Sequence, residues 1–221
     1  MTTLPQTLPN PTQRRRRTLH RKLVMKRLLL VGTFTLVFLI VGSATGITTG
    51  AARAADRIAD RLVLFVNVAM LYTKEPDKKL AMPVKAASKA GVADTWHAPR
   101  DGNRIHEGQD IFATKGTPVL SATEGYIVNI GENPLGGQTV SVAGAGGRVY
   151  YYAHLDEYAP HIAVGDYVNT NTLLGFVGTT GNAAGTPPHL HFGVYAPSGP
   201  LNPLPLIQDR FTEKPTRESR H

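Results

Sequence analysis

Between Asp94 and Pro200 no apolar residues recur at helical spacing; short β-branched and aromatic runs alternate with Gly and Pro instead. That pattern restricts the stretch to an all-β domain of roughly 110 residues. Pro118–Leu120, Tyr126–Ile130, Thr139–Val142, Val149–His154, Leu173–Val177 and Leu190–Tyr195 read as strands. The turn Gly144-Ala145-Gly146-Gly147 joins the third and fourth of these into a hairpin. The chain has 221 residues, 42% of them apolar, which is enough for one such core plus appendages. It contains no cysteine, which removes disulfide scaffolds, thiolate zinc sites, iron–sulfur clusters and thiol nucleophiles.

The appendages are read from charge. The formal charge is +8, but eight of the 24 Lys and Arg lie in residues 1–27, which hold no Asp or Glu. The rest of the chain balances 16 basic against 16 acidic residues, so no basic nucleic-acid face is expected. From Leu28 to Ala52 nothing is ionisable, and Leu28–Ile47 is long enough to cross a bilayer. Cations on the N-terminal side alone place that end in the cytoplasm and the remainder outside. The segment is read as a transmembrane signal-anchor over 28–52; the alternative is secretion after cleavage at Ala52-Arg53-Ala54. Asp56–Tyr72 reads as a second short helix, and the stretch to residue 93 as a linker. The β domain is then 94–207, followed by a loose polar tail over 208–221.

Eight histidines are present. His20 and His221 lie in the tails, and His97 and His161 in loop sequence where a solvated ring is expected. The other four share the strand-rich region. His189 and His191 are two apart in a strand, so both point to one face about ~6.5–7 Å apart. HxH alone is also what a polar strand face looks like, but here a Gly/Pro-rich loop, Gly178–Pro188, runs into it. His106 and Asp110 are four apart with Gly108 between them, which permits a turn or bulge that converges the two side chains. Imidazole nitrogen and carboxylate oxygen both suit Zn²⁺, although a surface His–Asp pair reads the same. His154 closes the hairpin strand, in register with Tyr150 and Tyr152 on one face by the period of two.

Together these residues resemble the lysostaphin-type zinc metallopeptidases of cell walls. The resemblance rests on His106-x-x-x-Asp110, Tyr152-Ala153-His154-Leu155, and Thr179-Thr180-Gly181 leading to His189-Leu190-His191-Phe192. It covers roughly Asp94 to Leu206, about half the chain, with further matches at Gly116–Val119, Gly165-Asp166-x-Val168 and Leu174–Gly178. It implies a duplicated-hybrid-motif, lysostaphin-like antiparallel β-sheet domain, here preceded by an N-terminal membrane helix and the second short helix. It also implies one Zn²⁺ per chain on His106, Asp110 and His191 with a water completing the site, and His154 and His189 as catalytic imidazoles. The substrate class it implies is the peptide part of peptidoglycan. The family usually has Gly where this chain has Asn171; Asn tolerates a left-handed turn better than other non-Gly residues.

The physical reading agrees with that division of labour. Zinc lowers the pKa of a bound water to about 7, and an imidazole can take its proton and later protonate the leaving amine. No HExxH helix is present, so a Glu base of that kind is excluded. Two alternatives compete with an enzyme. A non-catalytic relative that activates another wall hydrolase would typically lack zinc ligands, whereas this chain keeps all five residues. A biotin or lipoyl carrier of the related hybrid-motif folds is echoed by Gly165-Asp166-Tyr167-Val168, but no Lys lies between paired strands to carry the cofactor.

Overall fold

The computed structural model describes residues 49–210. The basic tail, the expected membrane segment Leu28–Ile47 and residues 211–221 lie outside the described residues. The chain divides into two compact units, Met1–Asp60 and Arg61–His221. Among the described residues no helix is long and apolar enough to cross a membrane.

Helix α1 spans Thr49–Leu71 and so begins seven residues before the expected start. Ala51, Ala52, Ala54 and Ala55 are strong helix formers and carry it upstream. It ends where Thr73 and Lys74 donate to the Met70 and Leu71 carbonyls, just before Pro76. Within the second unit its last turns bury Leu71 and leave Val63, Phe65 and Met70 exposed.

The stretch expected to be a linker enters the core. Strand β1, Leu80–Ala81, pairs in parallel with a terminal strand, Ile207–Gln208. Leu80, Met82 and Val84 alternate inward at 1% exposure or less. Met82 N–H donates to the Gln208 carbonyl at 2.8 Å, and Leu120 N–H to the Pro83 carbonyl at 2.7 Å. The first residues of the expected tail, 208–210, are anchored too. Arg210 donates to three backbone carbonyls, those of Met82, Thr170 and Ser121. Its guanidinium thereby ties three separate segments together.

The sheet itself follows the sequence reading, with four of the six expected strands longer and two of the expected length. In chain order come β2 (Pro99–Arg100), β3 (Arg104–Ile105), β4 (Gln109–Phe112), β5 (Pro118–Leu120), β6 (Gly125–Asn133), β7 (Gly137–Gly144) and β8 (Val149–Tyr158). After them come β9 (Tyr167–Val168), β10 (Leu173–Val177), β11 (His189–Ala196), β12 (Gly199–Leu201) and β13 (Ile207–Gln208). The main sheet runs β12-β11-β8-β7-β6-β9, all antiparallel, with β4 added to β11 and β10 bridging β8 and β5. The expected hairpin is β7–β8, with Ser141 opposite Tyr151. Tyr150, Tyr152, Phe192, Leu174 and Ile127 fill the core at no exposure. Asn171 is not among the left-handed residues; its N–H instead closes a turn on the Asn169 carboxamide oxygen.

The parity of β8 breaks at one point. Gln138 pairs with Leu155 and Val140 with Tyr152, so three residues of β8 span what two of β7 span. This is a bulge, and His154 takes the extra position at φ 63°. Tyr150, Tyr152 and Leu155 therefore face the core while His154 turns out of it. The expectation that His154 shares a face with Tyr150 and Tyr152 is corrected accordingly.

Candidate metal centre and catalytic cleft

Three elements bring the expected ligands together. β4 and β11 pair so that Asp110 lies opposite His191, and the loop before β4 carries His106. His106 Nε2 lies 2.8 Å from His191 Nδ1, and Asp110 Oδ1 lies 3.1 Å from both nitrogens. Gly108 makes the approach possible, because a Cβ there would meet His191 Cε1 at 2.5 Å. Donor atoms around a tetrahedral zinc stand roughly 3.3 Å apart, so this triangle fits the ion with little movement.

The protonation pattern fits as well. His106 Nδ1 lies 2.6 Å from the Thr95 carbonyl, which only an N–H can satisfy, so the neutral form of the ring has its lone pair on Nε2, the atom that a metal would take. Thr95 also accepts from the Asp110 N–H through its hydroxyl. Burial works against the Asp110 carboxylate, but hydrogen bonds from His106, His191 and Arg100 outweigh it and hold the carboxyl well below the usual range. Burial pushes His191 down, with Asp110 partly opposing it. An anionic carboxylate and a neutral imidazole are the forms that ligate.

His154 and His189 stand beside this triangle, with ring centroids 4.9 Å apart. Each directs Nδ1 to a carbonyl, His154 to Thr180 at 2.9 Å and His189 to Pro187 at 2.8 Å. Both therefore carry a proton on Nδ1, and the neutral form of each has its lone pair on Nε2. Burial also pushes the His154 imidazole down to about 4, the Thr180 carbonyl opposing. The Thr180 loop is held by a close crossing of two backbones: Gly137 and Gly181, both at positive φ, approach where either Cβ would strike the other chain segment. Thr180 Oγ1 donates to the Leu155 carbonyl and accepts from the Gln138 N–H, which ties the loop to the bulge.

All five expected residues line one cleft of about 820 Å³. His97 and His161 do not belong to it; His97 is exposed and stacks on Trp96. Several lining residues had no signal in the expected motifs. Arg100 places Nη2 on Asp110 Oδ2. Tyr151, whose hydroxyl accepts from Asn133 at 3.0 Å, stands edge-on to His191. Alternation through Tyr150-Tyr151-Tyr152 does carry the Tyr151 signal, since burying the outer two turns the middle one to the other face. Nothing in the sequence points to Arg100, which is 10 residues from its partner.

Three N/O protein donors on an open cleft could together hold one metal ion and leave a position beside it open. Residues 104–203 match the family model for peptidase family M23. The chain carries a peptidase family M23 domain. Among curated proteins it is 36% identical over 126 residues to an L-Ala–D-Glu endopeptidase of Bacillus subtilis (strain 168), covering 54% of this chain and 39% of that protein. It is 34% identical over 110 residues to lysostaphin of Staphylococcus simulans, covering 47% of this chain and 22% of that protein. The alignments thus span well under half the length of these curated relatives. Among solved structures, the catalytic domain of lysostaphin from Staphylococcus simulans is similar at 30% identity, 53% of this chain, 92% of that chain and a TM-score of 0.47.

Proposed function

We propose that this protein is a zinc-dependent endopeptidase that hydrolyses peptide cross-links of bacterial peptidoglycan. The observation that carries the proposal is the convergence of His106, Asp110 and His191 within 3.1 Å of one another, with two further imidazoles beside them on an open cleft. A zinc ion on those three residues would polarise the scissile carbonyl and bring the pKa of a water to about 7. The chain's own part is proton handling. His154 and His189 each present an Nε2 lone pair to the cleft, suited to take the proton of the attacking water and return it to the leaving amine. Once protonated, either ring can also donate to the developing oxyanion. Peptidoglycan as substrate is carried over from the family resemblance, which the endopeptidase names of the relatives support. A non-catalytic activator would need none of the five donors, so no observation favours that reading.

The proposal includes location: anchored by Leu28–Ile47 in the cytoplasmic membrane, N-terminus inside, with the β domain outside where its substrate lies. The charge asymmetry about the uncharged segment supports it.

The test is metal content and wall-cleaving turnover on the same purified variants, with circular dichroism confirming the fold. His191→Ala and Asp110→Ala remove one of three ligands, and zinc and activity should fall together. His189→Ala and His154→Ala should keep about one zinc per chain and lose on the order of 10²–10⁴ in rate. Zinc lost from His189→Ala but kept in His191→Ala would invert the assignment. Full activity of the parent protein in excess chelator, with no zinc by elemental analysis, would rule out the mechanism.

A further inference from the structure

The phenol of Tyr151 lines the cleft and takes no part in the chemistry above. Its direction follows from the parity of β8: Tyr150 and Tyr152 are buried in the core, so Tyr151 between them faces the other way. The ring stands edge-on to His191 and to Tyr195, with centroids 6.2 and 6.5 Å apart. A Cβ on Gly136 would strike the phenol oxygen, so only glycine at that place in the β6–β7 turn leaves the hydroxyl its seat. The same turn holds the bulge, since the His154 N–H donates to the Gly136 carbonyl at 2.7 Å. The Tyr151 phenol and the His154 backbone are thus registered on one turn.

Asn133 decides which way the hydroxyl points. Its carboxamide oxygen accepts from the backbone N–H of Leu135 at 3.2 Å and of Gly136 at 2.7 Å. Those two donors need an oxygen, so the amide cannot be turned over, and its NH₂ group is what meets Tyr151, at 3.0 Å. An amide NH₂ only donates, so the phenol oxygen is the acceptor in that pair and keeps its own proton. Among the described residues no acceptor takes that proton, which is left for the cleft.

The other groups around the donor triangle leave a need for such a donor. Asp110 is a carboxylate, and His154 and His189 in their neutral forms present Nε2 lone pairs. Arg100 is committed to Asp110, and the Thr186 hydroxyl to the Ala183 carbonyl. A peptide lying in the cleft brings carbonyl oxygens as well as N–H groups, and a carbonyl taken out of water needs a partner.

We infer that Tyr151 is a substrate-binding residue whose O–H donates to a backbone carbonyl of the peptide in the cleft, with Asn133 as the positioning residue that aims it. The inference deepens the endopeptidase reading and rests on it for the identity of the ligand, though peptide binding does not depend on turnover.

The test uses the full chain with chelator present, so that nothing is cleaved, and titrates soluble stem peptides released from purified wall. Tyr151→Phe removes only the hydroxyl and keeps the ring beside His191 and Tyr195. It should weaken binding about 3–10-fold, the size of one neutral hydrogen bond. Asn133→Asp keeps an oxygen for the Leu135 and Gly136 N–H groups but replaces the NH₂ donor by a second acceptor. The phenol proton should then turn to that carboxylate and leave the cleft, and binding should weaken by at least the same factor. In the Tyr151→Phe background Asn133→Asp should cost much less than it does alone, since no proton remains to redirect, while its added charge acts in both backgrounds. With zinc restored, Tyr151→Phe should raise KM by the factor seen in binding and leave kcat little changed, a split that a merely structural loss would not produce. Circular dichroism checks that each variant is folded. Parent-like binding by Tyr151→Phe would overturn the inference, as would a kcat loss with unchanged binding. An Asn133→Asp loss undiminished in the Tyr151→Phe background would overturn the aiming role of Asn133. If the parent protein with zinc restored cleaves no wall, the endopeptidase reading fails, and the binding factors decide the role of Tyr151 by themselves.

Discussion

A Cβ built on Gly108 would lie 2.5 Å from His191 Cε1, 2.6 Å from Nε2 and 3.0 Å from the Phe192 carbonyl oxygen. None of these can retreat cheaply, since His191 is set by its pairing with Asp110 and Phe192 is fully buried in the core. Gly108→Ala should therefore displace the His191 ring or the His106 loop rather than unfold the sheet. Zinc affinity should drop by roughly 10-fold or more, of the size seen when groups that orient ligands are lost. The unfolding midpoint should move by much less than for a core deletion. Competition with a chromophoric chelator, run alongside thermal unfolding, checks both; unchanged affinity would show that the ring does not need this space. At the same scale, spacing marked His106, Asp110, His189 and His191 as a group, because two- and four-residue separations on extended chain put side chains on one face. Arg100 has no such signal, because a lone arginine on a two-residue strand carries no local mark of its partner.

At the scale of elements, the segment from Leu80 to Val84 changes where the β domain begins. Its three inward side chains are fully buried, and its pairing with β13 joins residues more than 120 positions apart. Met82→Ala should cost about 2–5 kcal/mol in urea unfolding, the range for emptying a buried site of that size. Lys79→Ala, exposed one residue before the strand, should stay within about 0.5 kcal/mol. Residues 94–221 expressed alone should be much less stable than residues 73–221, by the same measurement. Equal stability of the two would mean that the segment lies on the core without supporting it. Pro83, Lys78-Lys79 and the small residues after Val84 made this stretch read as a linker. Leu80, Met82 and Val84 alternate, but Pro83 sits within the alternation and the paired strand is only two residues long, so the segment by itself does not reveal its partner.

For the whole molecule, the proposal sets an exported β domain behind an uncharged stretch and a cationic tail. Protease added to spheroplasts should degrade residues 53–221, and intact cells lysed without protease should yield the full-length chain in the membrane fraction. Protection of the domain until the membrane is broken would reverse the topology. A soluble product with a new N-terminus near Ala55 would instead establish cleavage and discard the anchor.

What the sequence by itself determined is whatever repeats or spaces locally. The Gly- and Pro-punctuated strands, the β7–β8 hairpin and the grouping of five chemistry-bearing residues all depend on separations of a few positions, where the period of a strand and the geometry of a turn translate directly into facing. Only the tertiary structure decided three things. It drew Leu80–Val84 into the core and tied Arg210 to the Met82 carbonyl, because a partner more than a hundred residues away leaves no mark in the local sequence. It turned His154 out of the face shared by Tyr150 and Tyr152, because one extra residue in β8 reverses parity, and that residue is identified only by counting against β7. It also set Arg100 across from Arg104 and on Asp110, because a side chain's charge partner is chosen by the packing of strands that the local sequence does not name.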